Sequence, residues 1–173
     1  MATPTNDTRC TKMSEIRAVV ITVSDACSSG HRQDTSGAAL VQLLTDLGAE
    51  IVDRKILSDD LDPLVQLLKE CADRDDVNLI VTTGGTGLGP RDNTPEATRQ
   101  VIEREAPGIA EAIRAESLKA TAMAMLSRGV CGVRSGTLIV NLPGSPKAVK
   151  ESFAVISPVL SHALDLLAGK TSH

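Results

Sequence analysis

The chain has 173 residues, and its 18 Lys and Arg against 22 Asp and Glu give a net charge of -4, which argues against a polyanionic partner such as nucleic acid. Phe153 is its one aromatic residue, so it also lacks the stacking surface that usually binds single-stranded nucleic acid. No apolar run approaches the roughly 20 residues of a membrane-spanning helix, and the polar N-terminus has no signal-peptide core. These features predict a cytoplasmic protein that binds no membrane.

The length predicts one domain with a single sizeable core. Residues 1–15 are rich in Thr, Asn and Asp, so we expect a disordered tail there and a single domain over residues 16–168. The cysteines are widely spaced and form no C-x-x-C pair, so we expect them to fill core positions rather than to bind metal. They are Cys10, Cys27, Cys71 and Cys131.

Strand and helix patterns alternate along the chain after this tail. Residues 16–23 form an apolar run of strand length, and apolar residues with helical spacing follow at 34–47, with Gly48 in the position of a C-cap. Asp62 and Pro63 predict the N-cap and first residue of another helix. In chain order we predict a strand at 16–23, a helix at 34–47, a strand at 50–57, a helix from 62, a strand at 79–83, a helix from 94 to about 104, a helix after 108, strands at 132–135 and 137–141, and a helix from 145 to 167.

This alternation indicates an α/β fold. Strands that are apolar on both faces are typical of parallel sheets covered by helices on each side. We therefore predict a three-layer α/β/α architecture with a mainly parallel central sheet. In such folds ligands bind outside the carboxyl ends of the strands. Small, polar or acidic residues follow the predicted strands at 24–25, 58–60, 84–92 and 141–145.

The loop from Gly84 to Gly89 is the strongest local signal for a ligand. Glycines let backbone N–H groups approach phosphate oxygens closely, and the helix predicted to begin near Thr94 offers its N-terminal dipole to an anion. A tight strand-to-helix turn without a ligand would explain the same glycines. Phosphate binding is the interpretation that we favour.

Asp59 and Asp92 lie close to this loop along the predicted sheet edge and point to a cation. A carboxylate beside a phosphate is repulsive unless a cation intervenes, and Mg²⁺ is often held by one or two carboxylates together with substrate phosphates. The residues alone leave open whether these aspartates serve a Mg-nucleotide or are ordinary turn residues. They also leave open whether Arg128 clamps a phosphate or lies on the surface. The histidines share no metal-ligand spacing.

Several motifs together resemble the molybdopterin-binding domain family, and most closely the molybdopterin adenylyltransferases of the MogA type and the G domain of gephyrin. The resemblance is carried by TTGGTG at 82–87, PRD at 90–92 and TPEAT at 94–98. It extends over VSD at 23–25, DTSG at 34–37, VIEREAPG at 101–108, MLSR at 125–128, GVR at 132–134 and NLPG at 141–144. It covers nearly everything from residue 16 to residue 167.

The resemblance implies a homotrimer that joins Mg-ATP and molybdopterin to give adenylyl-molybdopterin and pyrophosphate. It raises hand-over of this product to a molybdenum insertase as a further expectation. By matching positions, it implies that Asp59 and Asp92 bind Mg²⁺ and ATP and take part in catalysis. For the pterin substrate it implies Ser127, to which we add Arg128, Thr83 and Ser145 as candidate contacts. For nucleotide and phosphate binding it implies Ser24, Asp25, Gly84, Gly85, Thr86, Gly87, Asn141, Pro143 and Gly144.

The chain departs from the family pattern in local loop residues, none of which is a proposed catalytic group. Ser58 and Asp60 flank Asp59 where the family commonly has Pro and Glu, Asn93 replaces a usual Val, and Ala122 replaces a usual Pro.

Three alternatives remain at this point: a non-catalytic molybdopterin-binding paralogue of the MoaB type, a scaffold of the gephyrin type, and a nucleotide hydrolase of the competence-damage type. Retention of Asp59, Asp92 and the Ser127 motif favours the adenylyltransferase. The absence of a linker after the last helix favours a freestanding enzyme over a scaffold.

Overall fold

Six strands form one mixed sheet in the computed structural model, which describes residues 15–170. They are β1 (Arg17–Val23), β2 (Glu50–Leu57), β3 (Leu79–Thr83), β4 (Arg104–Glu105), β5 (Cys131–Arg134) and β6 (Thr137–Leu142). Their order is β2-β1-β3-β6-β5-β4, with parallel pairing from β2 to β6 and antiparallel pairing of β5 with β6 and with β4. The prediction of a mainly parallel sheet is confirmed. Apart from Glu15, the predicted tail lies outside the described residues, as does Cys10.

Helices cover both faces of this sheet. They are α1 (Asp25–Ser28), α2 (Thr35–Asp46), α3 (Leu61–Ala72), α4 (Thr94–Val101), α5 (Pro107–Ala120) and α6 (Pro146–Leu167), with a 3₁₀ helix at Ala122–Leu126. Helices α2, α5 and α6 share one core with Ala18 and Val20 of β1, whereas α3 and α4 share the other core with Val19 and Ile21. This alternation along one strand follows from the two-residue period of β structure and gives the three predicted layers.

Two predicted helix boundaries are wrong. Helix α3 begins at Leu61 with Asp60 in the N-cap position, so Asp62 lies inside the first turn instead of capping it. Helix α4 ends at Val101 because Ile102 adopts an extended conformation, and the chain then forms the two-residue strand β4 beside β5. The sequence prediction extended this helix to about residue 104.

Aliphatic side chains build both cores, and Phe153 is the only aromatic residue that they contain. Cys71 and Cys131 are buried in them, as predicted for small core residues, whereas Cys27 is only partly buried and lies outside both cores. Burial raises the pKa of the Cys131 thiol to about 12. Within residues 15–170, no helix is long and apolar enough to cross a membrane.

A buried carboxylate, Asp34, joins three of these elements near the carboxyl end of β1. It caps α2 by accepting a hydrogen bond from the Gly37 N–H at 2.8 Å, and it accepts two more from the Thr22 hydroxyl and the Arg54 guanidinium, each at 2.8 Å. Burial opposes ionisation, but these hydrogen bonds outweigh it and hold the pKa of Asp34 below its usual value. Asp34 therefore fixes α2 against β1 and β2.

We expect Asp34→Ala to lower the free energy of unfolding by about 2–4 kcal/mol, because it removes a helix cap, leaves the Thr22 hydroxyl without its acceptor and removes the ion pair with Arg54. Denaturant unfolding at neutral pH would measure this loss. A carboxylate whose pKa falls on folding stabilises above its unfolded pKa, and this contribution disappears as pH falls through the folded pKa. The difference between wild type and variant should therefore shrink in acid.

Asp46→Ala is the matched control, because Asp46 ends the same helix and, among residues 15–170, accepts only an exposed hydrogen bond from Gln42. Its effect should stay within about 0.5 kcal/mol. Equal losses in the two variants would contradict the role assigned to Asp34.

Candidate active site

A cavity of about 490 Å³ opens at the carboxyl ends of β1 and β3. These two strands are neighbours in the sheet. After β1 the chain continues through α2 to β2 on one side, and after β3 it continues through α4 to β4 on the other side. The loops that follow the two strands therefore diverge. Such a switch point is where open α/β sheets bind ligands. The cavity is lined by Thr22, Val23, Ser24, Cys27, Arg32, Gln33, Thr35, Ser36, Asp59, Thr83, Gly84, Gly85, Asp92, Gly144, Ser145 and Pro146.

Gly84 and Gly85 turn the chain out of β3 in a conformation that other residues rarely adopt, with φ of 97° and 62°. A Cβ atom at Gly84 would overlap the carbonyl oxygen of Val23, and one at Gly85 would overlap the hydroxyl of Thr94. The loop therefore lies directly against the end of β1 and the start of α4. Glycine is required here both for backbone conformation and for space.

Asp25 exchanges hydrogen bonds with Asp59, which lines the cavity. The Asp25 N–H donates to Asp59 Oδ2 at 2.8 Å, and the Asp59 N–H donates to Asp25 Oδ1 at 3.0 Å. This exchange joins the loop after β1 to the loop after β2. It also places the Asp59 carboxylate beside Gly85, where a Cβ atom would lie 3.3 Å from Asp59 Oδ1.

Arg91 brings the third loop to the same place. Its Nε and Nη2 atoms donate to the two carboxylate oxygens of Asp25 at 2.6 and 2.9 Å, and Nη2 also donates to Asp60 at 3.0 Å. The bonds from Arg91, together with the Asp59 N–H, lower the pKa of Asp25 to about 2. The loops after β1, β2 and β3 thus meet in one network of charged groups.

Asp59 carries an electrostatic cost that a cation would relieve. Burial raises its pKa, and the negative charges of Asp25 and Asp92 raise it further, against the lowering effect of the Asp25 N–H and of Arg91. Within residues 15–170, no cluster of three or more His, Cys, Asp or Glu side chains forms a complete metal site. Two carboxylates at one cavity instead fit a Mg²⁺ ion whose remaining ligands come from a phosphate substrate and water.

The Asp92 carboxylate is held over the glycine loop. Its Oδ2 atom accepts a hydrogen bond from the Gly89 N–H at 2.7 Å, and the Asp92 N–H donates to the Gly89 carbonyl at 3.0 Å. A Cβ atom at Gly87 would lie 2.9 Å from the same Oδ2. Asn93, a departure from the family pattern, donates from its side chain to the Asp59 carbonyl at 2.9 Å and so joins the two aspartate loops.

Asn141, expected to contact nucleotide, is buried among polar groups of the core. Its amide nitrogen donates to the hydroxyls of Thr82 at 3.0 Å and Thr98 at 2.9 Å, and its amide oxygen accepts from the Val130 N–H. Both amide hydrogens are therefore used within the protein, and the side chain is buried. We therefore assign Asn141 to joining β6 with β3 and α4.

The predicted site residues fall into three groups. The first lines the 490 Å³ cavity and comprises Ser24, Asp59, Thr83, Gly84, Gly85, Asp92, Gly144 and Ser145. The second, Ser127 and Pro143, lines a separate cavity of about 190 Å³ near the 3₁₀ helix. The third lines neither cavity and comprises Asp25, Thr86, Gly87, Asn141 and Arg128.

Sequence reasoning missed Arg32, which is exposed and lines the larger cavity. Within the described part of the chain no carboxylate forms an ion pair with Arg32, so its guanidinium is available to an anionic ligand. Cys27, Gln33, Thr35 and Ser36 were also missed as lining residues. Cys27 and Gln33 lie in α1 and in the loop after it, where no local pattern distinguishes them. Thr35 and Ser36 begin α2 and belong to the DTSG motif, but they were not assigned to the site.

Known proteins resemble the chain over nearly its whole length. A molybdopterin adenylyltransferase of Helicobacter pylori is 38% identical over 159 residues, which cover 91% of this chain and 90% of that protein. The molybdenum cofactor synthesis protein cinnamon of Drosophila melanogaster is 47% identical over 161 residues, covering 92% of this chain but 27% of cinnamon. The chain thus corresponds to about a quarter of that larger protein.

Among solved structures, the molybdopterin biosynthesis enzyme MoaB from Thermus thermophilus superposes with a TM-score of 0.84 at 48% identity, covering 89% of this chain and 97% of that chain. The protein CinA from Thermoplasma acidophilum gives a TM-score of 0.61 at 20% identity, covering 86% and 98%, and shares the fold alone. The family model described as "Probable molybdopterin binding domain" matches residues 19–162. The chain therefore belongs to the molybdopterin-binding domain family.

Proposed function

We propose that this protein is a molybdopterin adenylyltransferase of molybdenum cofactor biosynthesis, which transfers AMP from Mg-ATP to the terminal phosphate of molybdopterin and releases pyrophosphate. The observation that carries the proposal is the meeting of Asp59 and Asp92 at one cavity beside the Gly84–Gly85 turn. The Helicobacter pylori relative, named for this activity, supports it.

The residues at the cavity suit a transfer between two polyanions. The attacking group is a phosphate that is already ionised at neutral pH, so the chain need not supply a Ser–His or Cys–His pair. What it must supply is position and charge. The glycine turn exposes backbone to the cavity, and Arg32 offers a cation without a carboxylate partner in the described chain.

Asp59 and Asp92 are the residues that would hold Mg²⁺. When bound, Mg²⁺ supplies positive charge against the α-phosphate and the departing pyrophosphate. Asp25 and Arg91 hold the Asp59 loop in place from the exposed side, where their ion pair is half-exposed. The protein's own part is then to keep both carboxylates beside the cavity before nucleotide arrives.

A MoaB-type paralogue remains the second candidate, because the Thermus thermophilus structure with that name is 48% identical to this chain. Such a paralogue would bind molybdopterin without adenylylating it. The hydrolase alternative draws on the fold alone, through a neighbour at 20% identity.

We also propose that the protein assembles as a cytoplasmic homotrimer that passes its product to a molybdenum insertase. Large apolar side chains that a neighbouring subunit could cover are exposed at Met123, Met125 and Leu126 in the 3₁₀ helix.

The proposed cytoplasmic location is supported by the cysteines. The free thiols of Cys27, Cys71 and Cys131 agree with a reducing compartment.

Anaerobic incubation with molybdopterin and ATP, with and without Mg²⁺, tests the proposed reaction. We expect adenylyl-molybdopterin and pyrophosphate in equal amounts, and only with Mg²⁺. Pterin binding without product would favour the MoaB-type paralogue. Nucleotide consumption without pterin would favour the hydrolase.

We expect Asp59→Asn to lower the rate of product formation by at least about 100-fold. The same variant should raise Tm at neutral pH without Mg²⁺ by roughly 1–3 °C. The pKa of Asp59 is raised on folding, so its charge destabilises the folded state above that pKa, and the effect vanishes as pH falls below the unfolded value. The gain in Tm should therefore disappear in acid. Mg²⁺ with nucleotide should stabilise wild type more than the variant.

Asp62→Asn is the matched control, because Asp62 is an exposed aspartate in the first turn of α3 and lies outside the cavity. It should keep activity and the response to Mg²⁺. A lower Tm for Asp59→Asn than for wild type at neutral pH would show that the charge of Asp59 does not destabilise the folded state.

We expect Arg32→Gln to raise KM for a phosphate-bearing substrate by about 10-fold, since one charge-assisted hydrogen bond to phosphate is worth about 1.5–3 kcal/mol before solvent exposure reduces it. Steady-state kinetics with each substrate varied in turn would identify which one Arg32 contacts. Arg99→Gln removes another exposed arginine, in α4 and outside the cavity, and should change neither KM. An unchanged KM for both substrates in Arg32→Gln would exclude the contact.

A further inference from the structure

We propose that Arg128 and Glu96 form a positioning pair that holds the Gly87–Asp92 loop, and with it the Asp92 carboxylate, in its working place. The expected effect on kcat rests on the proposed function. The expected effect on the loop rests on the geometry alone. It replaces the expectation that Arg128 contacts the substrate.

The Arg128 guanidinium is bonded to the loop from two sides. Nε donates to the Gly87 carbonyl at 2.7 Å, and Nη2 donates to the Asp92 carbonyl at 2.6 Å. The Arg128 backbone N–H adds a third bond, to the Thr86 carbonyl at 2.9 Å. One residue from a distant part of the chain therefore holds both ends of the loop that carries Asp92.

Glu96 fixes the guanidinium from the third side. Its Oε1 atom accepts a hydrogen bond from Arg128 Nη1, and the two side chains are only 30% and 40% exposed. Its Oε2 atom is buried and has no hydrogen-bond partner among residues 15–170. A buried carboxylate oxygen without a partner is costly, so the Arg128 charge is what makes this placement of Glu96 tolerable.

The geometry requires arginine. Three separate nitrogen atoms of one planar group reach three acceptors, two of them backbone carbonyls to which no other side chain among residues 15–170 donates. A lysine ammonium at this position would keep the charge but could not meet acceptors spread around a plane in the same way. Neither Arg128 nor Glu96 lines the 490 Å³ cavity.

The proposed effect on the reaction passes through Asp92. Its carboxylate lies over the glycine loop through the hydrogen bond from the Gly89 N–H, inside the segment that Arg128 closes. Release of either end would let this carboxylate move relative to Asp59. Misplacement of a catalytic group by about 1 Å can cost on the order of 100-fold in rate, so kcat should fall while pterin binding is kept.

Arg128→Lys and Glu96→Gln test the pair, with Arg134→Lys and Asp73→Asn as matched controls. Arg134 also bridges a carboxylate, that of Asp73, and a backbone carbonyl, that of Val101, but it does so at the opposite edge of the sheet. Its side chain is 24% exposed, similar to Arg128. The controls therefore remove a similar ion pair without touching the loop.

Amide hydrogen exchange of Gly89 and Asp92, whose N–H groups are hydrogen-bonded within the loop, is the readout that needs no activity. We expect Arg128→Lys to speed exchange at these two amides by about 10-fold or more and Glu96→Gln by less, while both controls leave it unchanged. With active enzyme, kcat should fall about 10-fold to 100-fold with less than about a 3-fold change in KM for molybdopterin. The double variant should be no worse than Arg128→Lys alone, because Glu96 acts through Arg128.

Unchanged exchange with a raised KM for molybdopterin would overturn the proposal and return Arg128 to the substrate site. An equal loss of kcat in Arg134→Lys would also overturn it, since the effect would then be one of general stability. If Arg128→Lys fails to fold, Glu96→Gln carries the same comparison. If wild type forms no adenylyl-pterin, the proposed function fails, and the exchange measurement still decides whether Arg128 holds the loop.

Discussion

The site depends on the pair of hydrogen bonds that Asp25 and Asp59 exchange between backbone and carboxylate. The pair joins two loops that follow adjacent parallel strands, and it leaves one oxygen of each carboxylate directed elsewhere. Asp25 uses its oxygens to bind Arg91, which brings in the loop after β3. Asp59 is left beside Gly85 with a raised pKa. The attraction between Asp25 and Arg91 thus holds the loops in an arrangement that keeps Asp59 close to the like charges of Asp25 and Asp92.

That repulsion distinguishes this edge of the sheet from the other polar clusters. Asp34 is also a buried carboxylate, but hydrogen bonds from Arg54, Gly37 and Thr22 satisfy it and lower its pKa. Asp59 has one backbone donor and two like-charged neighbours. Groups kept at an electrostatic cost tend to mark functional sites, whereas satisfied groups stabilise the fold. Asp34 and Asp59 thus have pKa values shifted in opposite directions within one chain.

Sequence patterns predicted the core strands well, because β1 and β3 are apolar on both faces and such runs have few alternatives. They could not predict β4, since a strand of two residues has no periodicity and depends on its partner β5. Asp59 and Asp92 stood out through their positions after strands and through the resemblance. The contacts of Arg128 with Gly87 and Asp92 could not be predicted, because they are made to backbone carbonyls, which no residue pattern reveals. Arg32 lines the cavity because of the course of the loop between α1 and α2, which no residue pattern predicts.

The aliphatic core has a consequence for how ligands of this protein can be observed. With Phe153 as its one aromatic residue and no Trp or Tyr, the polypeptide contributes almost nothing to absorption or emission in the near ultraviolet. The spectrum of a complex in that region would belong to the ligand, so a bound purine or pterin would be recorded against a dark background. A single tryptophan introduced beside the cavity would likewise report from one known place. The protein itself therefore contributes almost no near-ultraviolet signal that could mask a ligand in the cavity.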